Sequence, residues 1–178
     1  MLCRLGKIPC WAALTGALLA SSSGANALCV YGGKHFTKAK GGDGSVRGLY
    51  AKTTLADEFL DSALVVKGTV LSSRNIGLGP SNDSGTVYRV HIDRTFKGKA
   101  SAIINDYTDR DSGGFYLGGS SEGPEYLLFL NPLSRNSWAR KFAPDAYEVN
   151  YNCGQSRAWA DVPLKDLDKL TVLSKSGD

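Results

Sequence analysis

Histidine, methionine and cysteine are scarce in this chain of 178 residues, which holds two histidines, one methionine and four cysteines. With only His35 and His91, the sequence has no histidine cluster for a metal centre and few ways to build a Ser-His-Asp triad. It also lacks an apolar run of the roughly 20 residues that a membrane-spanning helix needs. We therefore expect neither an enzyme nor a protein that needs a cofactor.

The first 27 residues have the layout of a secretory signal peptide. Arg4 and Lys7 precede the apolar stretch Trp11 to Ala20, and small residues follow up to Ala25 and Ala27. A positive start, a short apolar core and an A-x-A site predict cleavage after Ala27. The protein is then expected to be exported, to a periplasm or out of the cell, with no transmembrane segment after cleavage.

Cleavage would leave 151 residues with 19 basic and 17 acidic side chains, a net charge of +2. This balance gives no reason to expect nucleic-acid binding, and the length suits one domain. We expect a flexible, glycine-rich arm over 28–48, a barrel domain with flanking helices over 49–173 and a disordered tail over 174–178.

Two cysteines remain in the mature chain, Cys29 and Cys153. One pair in an oxidising compartment predicts one disulfide, with two buried thiols as the alternative. The bond would tie the arm to the last strand across more than a hundred residues. Chain-entropy models give such a closure a stabilisation of about 4–5 kcal/mol at most.

Most of the mature chain consists of short β-branched or alternating stretches separated by glycine-rich turns, which is typical of a small barrel. Lys67-Gly68 interrupts the first of these stretches and predicts a bulge that bends the strand. His91 is expected to point outward, and residues 133–146 are expected to form an exposed excursion. The five predicted strands are Leu64 to Ser73, Gly85 to Gly98, Ala102 to Thr108, Tyr126 to Leu130 and Tyr147 to Cys153, with Cys153 on the core side.

Two helices flank these strands. Thr54 and Asp57 have the spacing of a capping box and predict a short helix from Leu55 to Ser62. Asp161-Val-Pro163 predicts the start of a second helix, with leucines at helical spacing after it. The sequence therefore predicts a mainly β protein, a five-stranded OB-like Greek-key barrel with a short N-terminal helix and a C-terminal helix.

Several motifs occur in an order that resembles the netrin-like and tissue-inhibitor-of-metalloproteinases superfamily, in particular its secreted bacterial members. The resemblance spans roughly Cys29 to Trp159. The motifs are Ala56-Asp57-Glu58-Phe59, Ser62 to Val70, Phe96-Lys97-Gly98, Gly123 to Phe129 and Tyr151-Asn-Cys153-Gly154.

The resemblance implies an OB-like barrel whose N-terminal arm is clamped against it by disulfides. In the inhibitors the mature chain begins Cys-x-Cys, and the first cysteine binds the catalytic zinc of a protease. Here Cys29 would be the second mature residue, Tyr31 stands in place of the second cysteine, and Ser112-Gly113 stands where a mid-chain cysteine is expected. Cleavage after Leu28 would restore the inhibitory geometry.

We therefore expect a secreted, non-catalytic binding module that contacts an extracytoplasmic protein or polymer through the arm and the loop from Asp109 to Glu125. A metalloprotease is the alternative partner, and a hydrolytic enzyme is a weaker hypothesis. Aromatic and basic residues around Trp138 form either a ligand-stacking platform, with Phe142, Tyr147 and Trp159, or packing at the barrel ends. The candidate binding residues are Tyr31, Lys34, His35, Phe115, Tyr116, Trp138 and Arg140.

Asp106, Asp109 and Asp111 supply hard oxygen ligands that could hold Ca²⁺. Their spacing differs from that of an EF-hand loop, and a solvated hairpin tip explains them as well. The expected metal content is therefore none, with these three residues as weak candidates.

Overall fold

Strand pairing closes a small barrel in the computed structural model, which describes residues 53–77, 84–110, 114–118 and 124–176. The described strands lie in the order β1-β2-β3-β5-β4-β6, and β1 also pairs with β4, so that the first five form a closed ring. The predicted five-stranded OB-like barrel is confirmed. The strands are β1 (Leu64–Ile76), β2 (Gly85–Lys97), β3 (Ile103–Asp109), β4 (Glu125–Pro132), β5 (Tyr147–Val149) and β6 (Arg157–Ala158).

β4 and the first half of β1 carry nearly continuous apolar runs because both of their faces are buried there. Leu64 and Val66 point into the barrel, where they join one core cluster with Leu128. Val65 and Phe129 belong to a second cluster, which lies beneath the two helices on the outside of the barrel. Alternate residues of a strand face opposite sides, so a strand covered on both sides needs apolar residues at every position.

The predicted bulge in β1 is confirmed. The register between β1 and β2 shifts between Lys67 and Gly68. A Cβ atom at Gly68 would lie 2.5 Å from Cγ1 of Val90 on the neighbouring strand, so only glycine fits this close approach. The bulge lies in the part of β1 that pairs with both β2 and β4, where a bulge adds bend and twist to a strand.

A capping box starts the first helix, α1 (Leu55–Asp61), as predicted. The backbone N–H of Asp57 donates to Oγ1 of Thr54, and the N–H of Thr54 donates to the Asp57 carboxylate. At the other end, Nζ of Lys97 donates to the carbonyl oxygens of Phe59 and Leu60. These contacts satisfy backbone groups that a helix leaves open at its ends.

The segment between β4 and β5 is packed, and the prediction of an exposed excursion over 133–146 is wrong. It contains a short 3-10 helix, Trp138–Lys141. Small alanine side chains and Leu133 let the segment lie close against the outer face of the β1–β2–β3 sheet. The buried cluster there consists of Ile76, Val87, Tyr107, Leu133, Ala139, Ala143 and Ala146.

The chain after β5 differs from the prediction in three ways. β5 ends at Val149, and Cys153 lies beyond it in an exposed turn, so its predicted place on the core side is wrong. The short strand β6, which pairs with β4, was not predicted. The second helix, α2 (Leu164–Ser176), follows Pro163 as expected but continues into the predicted tail. None of the helices in the described ranges is long and apolar enough to cross a membrane.

Candidate functional site

The predicted site residues do not form one group in the structure. Phe115 and Tyr116 lie at one end of the barrel, whereas Trp138 and Arg140 lie in the packed segment between β4 and β5. The other predicted residues of the arm, the disulfide and the metal site, Tyr31, Lys34, His35, Cys29 and Asp111, lie outside the described residues.

A buried carboxylate connects the start of α1 to the turn that carries Cys153. Glu58 is 0% exposed. Its two carboxylate oxygens accept hydrogen bonds from the backbone N–H of Gln155, at 2.9 and 3.0 Å, and Oε1 also accepts one from the Thr53 hydroxyl. Nε2 of Gln155 donates in return to the carbonyl oxygen of Thr53 over 2.9 Å. We call Thr53, Glu58, Gly154 and Gln155 the arm anchor.

Two features show how tightly the arm anchor is built. A Cβ atom at Gly154 would lie 2.2 Å from Oε1 of Glu58, so a side chain there would displace the carboxylate. Burial raises the pKa of Glu58, while the bonds from Thr53 and Gln155 and the nearby Arg157 act in the opposite direction. The arm anchor therefore fixes the point at which residue 53, the first described residue after the arm, meets the barrel.

Residues 114–118, which we call the mouth segment, cover the end of the barrel at which β3 finishes. Phe115 is half-buried against the interior core cluster, and Leu117 belongs to that cluster. Tyr116 is 48% exposed. Of the two predicted binding residues here, only Tyr116 thus presents a large surface to a partner.

Trp138 and Arg140 hold the packed segment together. The Trp138 ring makes edge contacts with Tyr107 and Phe142, with ring centroids 6.2 and 5.7 Å apart. Nη1 of Arg140 donates to the carbonyl oxygen of Leu133 over 3.1 Å. Both side chains therefore have structural contacts, although each remains partly exposed.

The aromatic residues considered for a stacking platform are divided among three clusters. Trp138 packs with the outer cluster and Tyr147 with the barrel interior. Trp159 packs beneath the helices, with Nζ of Lys67 4.9 Å from its ring centroid. Each of these aromatic residues therefore packs in its own region of the protein, and they do not form one platform.

The weak metal candidates Asp106 and Asp109 lie in different environments. Asp106 is completely buried, whereas Asp109 is exposed and accepts a hydrogen bond from the Tyr107 hydroxyl. Within the described ranges, no three His, Cys, Asp or Glu side chains come together in a group that could hold a metal ion.

His91 points outward, as predicted, and pairs with Asp93 on the surface of β2 at 2.9 Å. Asp93 also accepts a hydrogen bond from the Thr69 hydroxyl at 2.6 Å. Burial of Asp93 acts to raise its pKa, but these two bonds lower it below its ordinary value.

Sequence reasoning named Glu58 in a motif and Asp106 as a weak metal ligand, but it did not predict that both carboxyls are fully buried. A signal existed for each. Glu58 lies three residues after Leu55 and beside Phe59, on the apolar face of the predicted helix. Asp106 lies two residues after Ile104 on the same face of β3.

The comparisons add no relative: no protein-family model matches the sequence, and no curated protein is similar to it. The fold offers a closed barrel, the arm anchor beside the Cys153 turn, and the mouth segment at the end of β3.

Proposed function

We propose that the protein is an exported, non-catalytic binding module that contacts an extracytoplasmic protein or polymer through its arm (residues 28–48) and the loop between β3 and β4. The arm anchor is the observation that carries this proposal. A buried carboxylate with three hydrogen bonds fixes residue 53, the first described residue after the arm, on the barrel. A fixed residue next to a binding segment lowers the entropy that is lost when the segment binds.

The barrel interior supports the same proposal. Leu64, Val66, Val90, Leu128 and Leu130 fill it as a hydrophobic core. Side chains that fill a small barrel make it a scaffold, so that recognition falls to its loops and ends. Tyr116, exposed on the mouth segment, is the residue of the β3–β4 loop that we assign to partner contact.

The Cys29–Cys153 disulfide belongs to this proposal. Cys153 lies in the turn adjoining Gly154 and Gln155, which contact Glu58. A bond from Cys29 to this turn would fasten the arm at both ends. Peptide mapping under non-reducing conditions should find the two cysteines in one cross-linked pair, and two alkylatable thiols in the native protein would contradict it.

Capture of exported proteins tests the binding role. The immobilised mature protein should retain a partner, deletion of residues 30–42 should abolish the capture, and Tyr116→Ala should weaken it. Lys165→Ala, an exposed change on α2, is the matched control and should leave capture unchanged. Capture that survives the deletion would contradict a role for the arm, and hydrolytic activity abolished by His91→Ala would contradict a non-catalytic role.

Inhibition of a zinc protease is the second proposal, because the sequence resembles the metalloproteinase inhibitors and the structure has the closed five-stranded barrel that this resemblance implies. It requires Cys29 at the mature N-terminus. N-terminal sequencing of the exported protein should then find cleavage after Leu28, and stoichiometric protein should slow a zinc protease until its α-amine is acetylated. Cleavage after Ala27 with no inhibition would contradict this mechanism.

A further inference from the structure

Asp106 places a carboxyl group without a side-chain partner inside one end of the barrel. The side chain is 0% exposed, and no side chain within the described part of the chain donates a hydrogen bond to either carboxyl oxygen. The backbone N–H of Tyr107 acts to lower the pKa of Asp106, against the larger effect of burial. The charged neighbour that acts on it is Glu148, which is also acidic. A buried carboxylate is unfavourable unless a positive charge or hydrogen-bond donors compensate it. One cation beside Asp106 would therefore supply the positive charge that its carboxylate lacks.

Tyrosines flank Asp106 on both neighbouring strands. In the β2–β3 pair Asp106 stands opposite Tyr88, and in the β3–β5 pair it stands opposite Tyr147. Tyr88 and Tyr126 belong to the interior core cluster, and Tyr147 packs against it. Aromatic rings attract cations, and they do so most strongly where water is excluded. A buried carboxyl between two tyrosines, with a third in the same core cluster, is thus a suitable environment for an organic cation.

The mouth segment covers this environment. Leu117 is 5% exposed and packs in the same cluster, and its backbone hydrogen-bonds with Tyr88. The N–H of Gly118 donates to the Tyr126 hydroxyl over 2.6 Å. The tyrosines thus connect the mouth segment to the barrel, and the Leu117 side chain packs in the core cluster that also contains Tyr88 and Tyr126.

We propose that Asp106, Tyr88, Tyr126 and Tyr147 form a binding site for a small organic ammonium ion, which enters in place of the Leu117 side chain. The ammonium group pairs with the Asp106 carboxylate and contacts the tyrosine rings. A divalent metal ion fits less well, because it takes about six oxygen ligands and the described residues hold no three-carboxylate or histidine group for it. This site does not depend on the proposed role of the arm.

Isothermal titration calorimetry of the mature protein near pH 8 tests the proposal, with n-butylammonium chloride as the probe and n-butanol as its uncharged counterpart. We expect one ammonium per chain and binding at least about tenfold weaker for n-butanol. Asp106→Asn removes the charge with little change of shape and should weaken ammonium binding by about tenfold. Leu117→Ala vacates the space and should strengthen it about threefold to tenfold.

Asp93→Asn is the matched control, because Asp93 is a carboxylate on the outer surface of β2, and it should leave the affinity unchanged. The proposal is overturned if neither the wild-type protein nor Leu117→Ala binds the ammonium, or if Asp106→Asn binds it equally well. If Asp106→Asn does not fold, the proposal is tested by comparing the affinities of n-butylammonium and n-butanol for the wild-type and Leu117→Ala proteins. Equal affinity for the two probes would show an apolar cavity without charge recognition.

Discussion

Glu58 and Asp106 are both completely buried carboxyls, but their surroundings are opposite. Glu58 accepts hydrogen bonds from the Gln155 backbone and the Thr53 hydroxyl, and these bonds and the nearby Arg157 oppose the rise in its pKa that burial causes. Asp106 has no side-chain donor within the described ranges. Its acidic neighbour Glu148 adds to the rise in pKa caused by burial, which only the backbone of Tyr107 opposes. One carboxyl is held by donors and the other is left without a compensating charge.

The comparison shows two ways in which a folded chain carries a buried carboxyl. At Glu58 the donors stabilise the carboxylate, and removing it would leave the donors unsatisfied. At Asp106 burial raises the pKa well above its ordinary value of 3.8, so the neutral form is favoured. The first residue is therefore expected to stabilise the fold, and the second to destabilise it whenever it is ionised without a cation.

The largest expected effect is the loss of the anchored carboxylate. Glu58→Ala should lower the free energy of unfolding by about 3–4 kcal/mol, because it creates a cavity and leaves the N–H of Gln155 and the hydroxyl of Thr53 without their acceptor. Urea denaturation measures this change. Glu58→Gln keeps one acceptor oxygen and should lose less. If Glu58→Ala unfolds like wild type, the arm anchor is not a stabilising structure.

Gly154→Ala tests the same anchor from the opposite side. Its Cβ would lie 2.2 Å from Oε1 of Glu58, so the variant should lose about 2–3 kcal/mol of unfolding free energy. Gly77→Ala is the matched control, since no heavy atom lies within 4 Å of the Cβ that it adds. Equal stabilities of the two variants would contradict the close contact at Gly154.

Asp106→Asn should have a smaller effect of the opposite sign. Because the pKa of Asp106 is raised by folding, its protonated form stabilises the fold fully below pH 3.8, and this contribution is lost as the pH rises through the folded pKa. The variant should thus be more stable than wild type at a pH above the folded pKa of Asp106, and it should lose less stability between acid and neutral pH. Unfolding curves across this range measure the difference, and parallel pH profiles would contradict it.

The smallest effect is expected for an exposed carboxylate with similar bonds. Asp93 pairs with His91 and Thr69 at the surface, where water replaces lost partners. Asp93→Asn should change the unfolding free energy by less than about 1 kcal/mol. If Asp93→Asn lost as much unfolding free energy as Glu58→Ala, hydrogen bonding and not burial would decide how much each of the three carboxylates contributes to stability.

The scaffold could be predicted from the sequence because it depends on local patterns. The capping box at Thr54, the bulge at Gly68 and the apolar runs of β1 and β4 are readable from neighbouring residues. The arm anchor was not readable in this way, because it joins Glu58 to a turn almost a hundred positions further along the chain. The turn at Cys153 was misassigned as strand for the same reason.

The two acidic candidates show a second limit. Asp106 and Asp109 were grouped by their spacing in the sequence, yet strand alternation places Asp106 with the interior residue Ile104 and leaves Asp109 exposed. Residues 133–146 were misassigned in the opposite direction, since a stretch with many polar residues packs on the barrel through Leu133 and three alanines, Ala139, Ala143 and Ala146. Whether such side chains are buried is decided by the strands and segments with which they pair in the folded chain.

A carboxyl-carbon NMR titration of Asp106 tests the contrast between the two buried carboxyls most directly. In the free protein the Asp106 carbon should titrate above the ordinary aspartate range, and adding n-butylammonium at a fixed pH below its midpoint should shift the signal towards the carboxylate form. An Asp106 carbon that titrates in the ordinary range, or that stays protonated when the ammonium is bound, would contradict this account.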